Sequence, residues 1–311
     1  MMLGRGVAQR LRQQGPRSLF AEEVVAAVHE ADVALANLEC CISTRGRPAD
    51  KLFVFRAPPL AVDALVNLGV TAVTLANNHS LDFGTDALMD TLGHLDAAGI
   101  AHVGAGVDLE LARRPIMLET AAGRLRVVAF TDHPAEFAAA ANRPGVAFAD
   151  LDQDERPDWL RELLSDSDTA PLMVTAHWGP NMQATPIAHV HDAATWLLHA
   201  GATLVAGHSA HVFQGIVSRC IYDLGDFVDD YARDTELRND WGVLVLVTFD
   251  DARPVRVEVI PLELEYCFTK LATSAALEQI ARRFTAACRA MGTHVARVGD
   301  RLVIDWSPAV G

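Results

Sequence analysis

The sequence predicts an α/β fold built from stacked layers, and three observations indicate this fold class. Apolar strand-like runs alternate with amphipathic helical stretches through most of the 311 residues. Several of these runs are apolar along nearly their whole length, which is typical of strands buried on both faces. Two long strand-like runs joined by a short turn then follow. They predict an antiparallel sheet that packs against the first part.

The elements are predicted in chain order from hydrophobic periodicity. Strands are expected at 32–37, 70–76, 100–104, 124–131, 171–176, 202–207 and 220–225. Amphipathic helices are expected between them at 19–31, 59–68, 85–98, 157–165 and 188–200. In the helix at 85–98, Leu88 and Leu92 recur at helical spacing, and Thr85 or Asp86 can cap its start.

The later part of the chain changes character. "WGVLVLVTFD" and "PVRVEVIPLELEY" read as a hairpin joined through "DARP", and a helix starting at "SAALEQ" and a second hairpin follow. Because no low-complexity linker or internal repeat interrupts the sequence, we expect a single domain over 1–311. Its core is expected at about 1–265, with a C-terminal helix and hairpin at 266–311.

Composition excludes several classes of protein. The formal net charge is −14, and no basic patch suited to nucleic acid or to anionic lipid is present in the sequence. No apolar run reaches the ~18 residues needed to span a bilayer, and the N-terminal stretch has no signal core. The five cysteines are irregularly spaced and predict no disulfide framework. We therefore expect a cytoplasmic protein that acts on a small-molecule or peptide substrate; the sequence does not indicate its oligomeric state.

Polar side chains with metal-binding capacity follow four of the predicted strands. At the carboxyl edge of a parallel sheet such strand ends converge, and ligands usually bind there. Imidazole, carboxylate and amide oxygen together suit divalent ions such as manganese, zinc or iron. The pattern therefore predicts a metal site, and it involves Asn37 and Glu39; Asn77, Asn78, His79 and Asp82; His177 and Asn181; and His208 and His211. His133, in "FTDHP", is a candidate fifth edge of this site.

The stretches "NLE", "LANNHSLDFG", "HWG", "GHSAHVFQG" and "IYDLGDFVDDY" resemble the CapA family of poly-γ-glutamate capsule-synthesis proteins, which is related to calcineurin-like metallophosphoesterases. The resemblance covers about residues 1–250. It implies a four-layer α/β/β/α sandwich with a centre of two divalent metal ions at one edge of the sheets.

The resemblance also implies roles for individual residues. Glu39 resembles the bridging carboxylate, and Asn78, His177, His208 and His211 resemble the remaining metal ligands. His79 resembles the histidine that protonates a leaving oxygen, and Asp82 would hold its working tautomer. Substrate contacts are expected from Arg5, Asn37, Asn77, Asn181 and Asp226.

The sequence departs from the family pattern in three places. It has "GHSAH" where many members have "GHHPH", and "DLGDF" where many have "SLGNF", which makes that wall more acidic. It begins "MMLGRG", where the family has a strand and Gly-Asp before a similar motif. We hypothesise a misassigned start at a GTG codon. If that aspartate is truly absent, the first strand is missing and the centre is expected to hold one ion only.

Three functions remain open at this point. The leading interpretation is a metal-dependent hydrolase in which a metal-activated water attacks a phosphoester or related bond, with a link to poly-γ-glutamate synthesis. A metal-assisted epimerase of a ribosomal peptide is the alternative, because family-like proteins include such an enzyme. The third is a non-catalytic scaffold of a polymer-synthesis complex.

Overall fold

The computed structural model describes residues 1–153, 156–166 and 168–307. In this part of the chain eight α-helices occur. They are α1 (Arg5–Gln14), α2 (Glu22–Val28), α3 (Ala61–Leu68), α4 (Thr85–Ala97), α5 (Leu109–Arg113), α6 (Asp158–Leu164), α7 (Ala188–Ala200) and α8 (Ser274–Ala290).

The strands of the described residues are numbered in chain order. They are β1 (Leu35–Asn37), β2 (Cys41–Ile42), β3 (Arg56–Ala57), β4 (Ala72–Thr74), β5 (Ala101–Val103), β6 (Ala105–Gly106), β7 (Ile116–Thr120), β8 (Gly123–Thr131), β9 (Gly145–Val146), β10 (Leu172–His177), β11 (Leu204–His208), β12 (Ile216–Val217), β13 (Cys220–Ile221), β14 (Trp241–Asp250), β15 (Arg253–Glu265), β16 (Phe268–Leu271), β17 (Ala296–Val298) and β18 (Arg301–Asp305).

The described strands form three larger sheets and two two-stranded sheets, β2-β3 and β6-β9. The first is parallel, in the order β1-β4-β5, and the second has the order β12-β13-β11-β10-β8-β7 with parallel pairing through β13, β11, β10 and β8. The third is antiparallel, in the order β14-β15-β18-β17, with β16 paired to β15. In the first sheet and in the second sheet, the parallel strands end at the same edge of their sheet. The polar turns of the candidate site follow these strand ends.

The first two sheets pack on each other through small side chains. Ala72 and Ala76 from the first sheet and its following turn share a buried apolar cluster with Val127 and Ala129 of β8. Helices α3 and α4 cover the first sheet through a second cluster, whereas α6 and α7 cover the second sheet through a third. Helix α8 packs with the antiparallel sheet and with β11 and β12.

Gly104 lies within the seam between these two sheets. Its φ is +86°, and a Cβ at this position would lie 2.5 Å from the Ala76 Cβ and 2.7 Å from the Ala129 Cβ. Because real Cβ atoms do not approach this closely, the position requires glycine. The spacing of the sheets is therefore set by the smallest side chains available.

The predicted mixed α/β class with several sheets is confirmed. The structure adds α1, β7 and β16, which the periodicity did not indicate. The predicted cap of α4 is wrong: the N-cap is Gly84, and no side chain caps the helix start. None of the described helices combines the length and the apolar character that crossing a membrane requires.

Candidate active site

The turn that follows β1 carries the first acidic group of the site. Glu39 is 3% exposed, and its Oε2 accepts a hydrogen bond from Asn37 Nδ2 at 2.9 Å. The other carboxylate oxygen, Oε1, is buried without a hydrogen-bond partner. The Asn37 amide is held in turn by Asn77, whose Nδ2 donates to Asn37 Oδ1 at 2.9 Å. Asn37 thus fixes one carboxylate oxygen of Glu39, and the other oxygen has no hydrogen-bond partner in the described chain.

The turn after β4 supplies the second group, and Asn77 organises it. Asn77 is fully buried, donates to the Leu38 carbonyl, and accepts from His79 N and Ser80 Oγ. Its side-chain oxygen therefore stabilises its own turn, and its side-chain nitrogen ties that turn to the turn after β1. Asn78 is partly exposed, and its Oδ1 is buried without a partner.

His79 and Asp82 form a buried pair in the same turn. His79 Nδ1 lies 2.6 Å from Asp82 Oδ2 and donates to it, because an ionised carboxylate only accepts. The other ring nitrogen, Nε2, lies 3.9 Å from Glu39 Oε1 and therefore points toward the centre of the site. The Phe55 ring packs edge-on against the imidazole, with ring centroids 4.6 Å apart.

Lys51, which no sequence pattern predicted, also lies in this group of residues. Its Nζ lies 2.7 Å from Asp82 Oδ1 and 3.2 Å from His79 Nδ1, and it donates to the Asn78 carbonyl at 2.5 Å. Lys51 belongs to the segment 43–55 between β2 and β3, which we name the site loop. No periodicity marks this segment, so the sequence offered no signal except its position before "FVFRAPP".

Two histidines end neighbouring strands of the second sheet. His177 and His208 are register partners of β10 and β11, and their Nδ1 atoms lie 2.8 Å apart. His208 Nε2 lies 3.2 Å from Thr175 Oγ1, whereas His177 Nε2 is buried without a partner. Burial, followed by the proximity of His208 and His133, holds the pKa of His177 well below its usual value. Burial also lowers the pKa of His208 to about 3, although Glu39 acts in the opposite direction.

His211 lies in the turn after β11 and is held by an aspartate. Its Nδ1 lies 2.8 Å from Asp226 Oδ1 and both residues are 5% exposed, while Asp226 Oδ2 is buried without a partner. Burial alone would lower the pKa of His211, but the charge and hydrogen bond of Asp226 outweigh it and raise the pKa to about 10. The backbone of this turn is strained, with positive φ at Ser209 and His211.

Two further aspartates form the acidic wall beside His211. Asp223 accepts from the Ala210 and Gly225 amides, and burial raises its pKa to about 7. Asp229 has a buried, unpaired Oδ2, and burial together with Asp226 raises its pKa to about 8. Asp226 was a candidate from the sequence, whereas the burial of Asp229 beside it was not predicted.

These groups share one electrostatic neighbourhood. Burial alone would raise the pKa of Glu39, but the charges of His211, His79, the N-terminal ammonium and His208 lower it below its usual value. The carboxylate therefore interacts electrostatically with imidazoles from the turn after β4 and from the turn after β11. The structure brings together Glu39, Asn78, His79, Asp82, His177, His208, His211 and Asp226.

Arg5 lies at the rim beside this group. Its guanidinium is 5.5 Å from the Phe53 and Phe55 ring centroids and 5.9 Å from that of Tyr231, and its Nε pairs with Asp230 at 3.1 Å. Its side chain is 38% exposed, so it is accessible to an anion. Asn181, by contrast, is exposed in the loop after β10, and its side chain makes no hydrogen bond to another part of the described chain.

His133 extends the histidine edge beyond His177. Their ring centroids are 5.1 Å apart, and His133 Nδ1 pairs with Asp132. Asp132 also accepts from the Gly179 amide and lies 3.5 Å from His189 Nε2. The candidate fifth edge is therefore adjacent to the site, and His189 joins it from α7.

The donor atoms of the site match the requirements of a metal ion only in part. Within 1–153, 156–166 and 168–307, no group of three or more His, Cys, Asp or Glu side chains is arranged as a preformed metal site. However, Glu39 Oε1, Asn78 Oδ1 and His177 Nε2 are ligand-type atoms that are buried without any hydrogen-bond partner. Since buried polar atoms are normally paired, this concentration fits a cation-binding site that needs side-chain adjustment to close.

Comparison with known proteins places these residues in a wider context. The model of the family "Bacterial capsule synthesis protein PGA_cap" matches residues 1–231. The chain is 33% identical to "Probable polyglutamine synthesis accessory protein" of Mycobacterium tuberculosis (strain CDC 1551 / Oshkosh), over 81% of this chain and 73% of that protein. It is 29% identical to "PGA biosynthesis protein CapA" of Bacillus subtilis (strain 168), over 74% of this chain and 61% of that protein. A hypothetical protein from Thermus thermophilus matches with a TM-score of 0.43 and 14% identity, over 79% of this chain and 96% of its own.

Proposed function

The chain belongs to the bacterial capsule synthesis protein family PGA_cap, and from this premise we propose that it is a metal-dependent hydrolase. Its substrate would be a small molecule or peptide with a phosphoester or related bond. Because relatives carry names of polyglutamine and PGA synthesis, the proposed substrate belongs to the assembly of such a polymer. Family membership alone fixes no reaction, so the proposal depends on the site.

One observation carries the proposal: Glu39, Asn78 and His177, which lie at the carboxyl ends of strands in the first and second sheets, each have a ligand-type atom that is buried without a hydrogen-bond partner. An uncompensated buried polar atom is unfavourable, and a carboxylate oxygen especially so. A divalent cation would satisfy all three atoms together. Two such ions would supply a Lewis acid for the activation of a water and for the charge that develops in a displacement.

The proposed ligands differ in how ready they are. Glu39 Oε1, Asn78 Oδ1 and His177 Nε2 are free to bind. His211 is oriented by the Asp226 carboxylate, the arrangement that commonly positions a metal-binding imidazole, and because its pKa is raised to about 10 it would release a proton on binding. His208 has both ring nitrogens in use, toward His177 and Thr175, so it would bind only after releasing one of them.

His79 is the proposed proton donor. Asp82 fixes Nδ1 as a donor, so the proton that leaves or arrives in the reaction is carried by Nε2, the nitrogen that faces Glu39. Such a positioned imidazole contributes typically about 10²–10⁴-fold to a rate. Arg5, fixed by its aromatic neighbours and Asp230, would bind an anionic group of the substrate at the rim.

We also propose that the fold is the four-layer sandwich that the sequence predicts. The seam between the first two sheets supports it, because α3 and α4 cover one outer face and α6 and α7 cover the other. In this arrangement the metal ligands come from both inner sheets. The two-ion stoichiometry remains a prediction.

The test combines metal analysis with activity. Purified protein is loaded with Mn²⁺ or Zn²⁺, bound metal is measured by elemental analysis, and phosphate release from an aryl phosphate is followed. We expect metal-dependent turnover that falls at least about 100-fold in His79→Gln and in Glu39→Gln. Glu23→Gln, an exposed residue of α2, is the matched control and should retain activity.

The same preparation separates the alternatives. Deuterium incorporation from heavy water at a peptide Cα, without hydrolysis, would support the epimerase. A wild-type protein that binds metal and shows neither reaction would favour a scaffold. A wild-type protein that neither binds metal nor hydrolyses the probe would overturn the proposal.

A further inference from the structure

The Lys51 ammonium group lies against three parts of the His79 turn. Its Nζ lies 2.7 Å from Asp82 Oδ1, donates to the Asn78 carbonyl at 2.5 Å, and lies 3.2 Å from His79 Nδ1. The contact with Asp82 is an ion pair that lacks the angle of a good hydrogen bond. The ammonium also lies 5.5 Å from the Phe137 ring centroid. The ammonium is therefore directed into the protein, where it makes one hydrogen bond and one ion pair.

Asp82 requires a counter-charge because of its burial. Its side chain is 0% exposed, and a fully buried carboxylate without compensation is strongly unfavourable. Oδ2 is compensated by the Phe55 amide at 2.6 Å and by His79. Lys51 is the cation at Oδ1, so it balances the charge of this buried carboxylate.

The site loop is anchored on this aspartate from three directions. The Ala49 amide donates to the Asp82 carbonyl at 2.7 Å, the Phe55 amide donates to Oδ2, and Lys51 pairs with Oδ1. Leu52 and Phe53 project outward between these anchors and are 86% and 47% exposed. The loop therefore encloses the Asp82 turn on its inner side and presents apolar groups at the rim.

We infer that Lys51 is a positioning residue that holds Asp82 and the Asn78 carbonyl, and thereby fixes the His79 imidazole with Nε2 toward Glu39. This inference rests on the proposed role of His79 as proton donor. Lys51 itself does not contact the reacting atoms. Its effect passes through Asp82, which fixes the ring, and through the Asn78 backbone, which fixes the side chain that carries the free Oδ1.

The test uses Lys51→Met, which keeps the length and removes the charge, and Lys51→Arg, which keeps the charge. Arg47→Met, an exposed basic residue of the same loop, is the matched control. Two measurements are made on metal-free protein. Long-range ¹H–¹⁵N NMR of the histidine rings reports the His79 tautomer, assigned by its loss in His79→Gln. Hydrogen exchange of residues 49–55 reports how firmly the loop is anchored.

We expect the His79 Nδ1–H signal to be lost or broadened in Lys51→Met, and exchange in the loop to be at least about tenfold faster. Both should be close to wild type in Lys51→Arg and Arg47→Met. With an active enzyme, kcat of aryl phosphate hydrolysis should fall at least about tenfold while KM changes less than about twofold. A merely structural role would not single out the ring signal and kcat together.

Unchanged ring signals and exchange in Lys51→Met would overturn the inference. If that variant does not fold, Lys51→Gln takes its place, and the same loss of the ring signal and faster exchange are expected. Unchanged ring signals and exchange in Lys51→Gln would equally overturn the inference. Absence of hydrolysis in the wild type, with the expected NMR result, would reject the proposed hydrolase and leave the Lys51 contact network supported.

Discussion

His177 and His208 end adjacent parallel strands as register partners, and their Nδ1 atoms lie 2.8 Å apart. Only one of the two nitrogens can carry the shared proton, because two N–H groups at this distance would repel each other. Burial lowers the pKa of both rings. The pair is therefore neutral near pH 7, which is the state in which imidazole binds a metal.

We predict that this pair makes the metal-free protein sensitive to acid. The pKa of His208 is about 3 in the folded chain and about 6.5 in the unfolded chain, so the unfolded state binds more protons between these values. Stability is therefore lost as the pH falls below about 6.5. Between pH 7.5 and 4.5, His208→Gln should lose less stability than wild type, by about 2 kcal/mol.

Urea unfolding at the two pH values measures this difference. His29→Gln, a change in a histidine outside the site, is the control and should retain the wild-type pH dependence. Equal loss of stability in wild type and His208→Gln would show that His208 is not a buried neutral group.

Asp82→Asn should destabilise the protein by about 3 kcal/mol, because it leaves Lys51 and the Phe55 amide without a carboxylate partner. Chemical unfolding at pH 7.5 provides the measurement. Asp50→Asn changes an exposed aspartate of the same loop and should stay within about 0.5 kcal/mol of wild type. A similar effect of both substitutions would contradict the network described for Asp82.

Addition of Mn²⁺ or Zn²⁺ should raise the thermal unfolding temperature of the wild-type protein. At a free metal concentration about 100-fold above Kd, the stabilisation should be about 2.7 kcal/mol. Glu39→Gln should remove most of this effect, because the amide nitrogen that replaces one oxygen cannot bind a cation. Retention of the full shift in Glu39→Gln would indicate that the ion binds elsewhere.

Gly46→Ala should disrupt the site loop. Its φ is +86°, and a Cβ there would lie 1.9 Å from the Phe83 carbonyl oxygen, so the loop must move away from the Asp82 turn. Gly15→Ala is a matched control, because Gly15 has φ +85° and no atom within 4 Å of the added Cβ. We expect Gly46→Ala to cost at least about 2 kcal/mol more than Gly15→Ala in an unfolding measurement. Equal costs would mean that only backbone strain matters at both positions.

The sequence predicted the elements that have strong periodicity. The runs at 171–176 and 202–207 correspond to β10 and β11, and the helix at 188–200 is α7 with the expected bounds. A buried parallel strand is recognisable because every side chain must be apolar. The edge strand β7, whose residues alternate between exposed and buried, has no such run and was not predicted.

The ligand-type residues were predictable because they follow these strands directly. Lys51 was not, because its contacts depend on the path of an irregular loop that returns to a turn 27 or more residues away. Asp229 was not identified either, because its burial next to Asp226 arises from folding of the loop between β13 and β14. The structural role of Asn77 was not predictable either, because its side chain donates to the Leu38 carbonyl and to Asn37, which come close to it only in the folded chain.

The seam around Gly104 has a consequence for how the proposed centre would be assembled. Glu39, Asn78 and His79 follow strands of the first sheet, while His177 and His208 end strands of the second, and Ala76 of the seam immediately precedes Asn77. The small side chains of the seam therefore set the distance between the side chains that follow the first sheet and those that end the second. A partly folded chain in which each sheet has formed but the two have not docked would contain every one of these side chains and still have no centre.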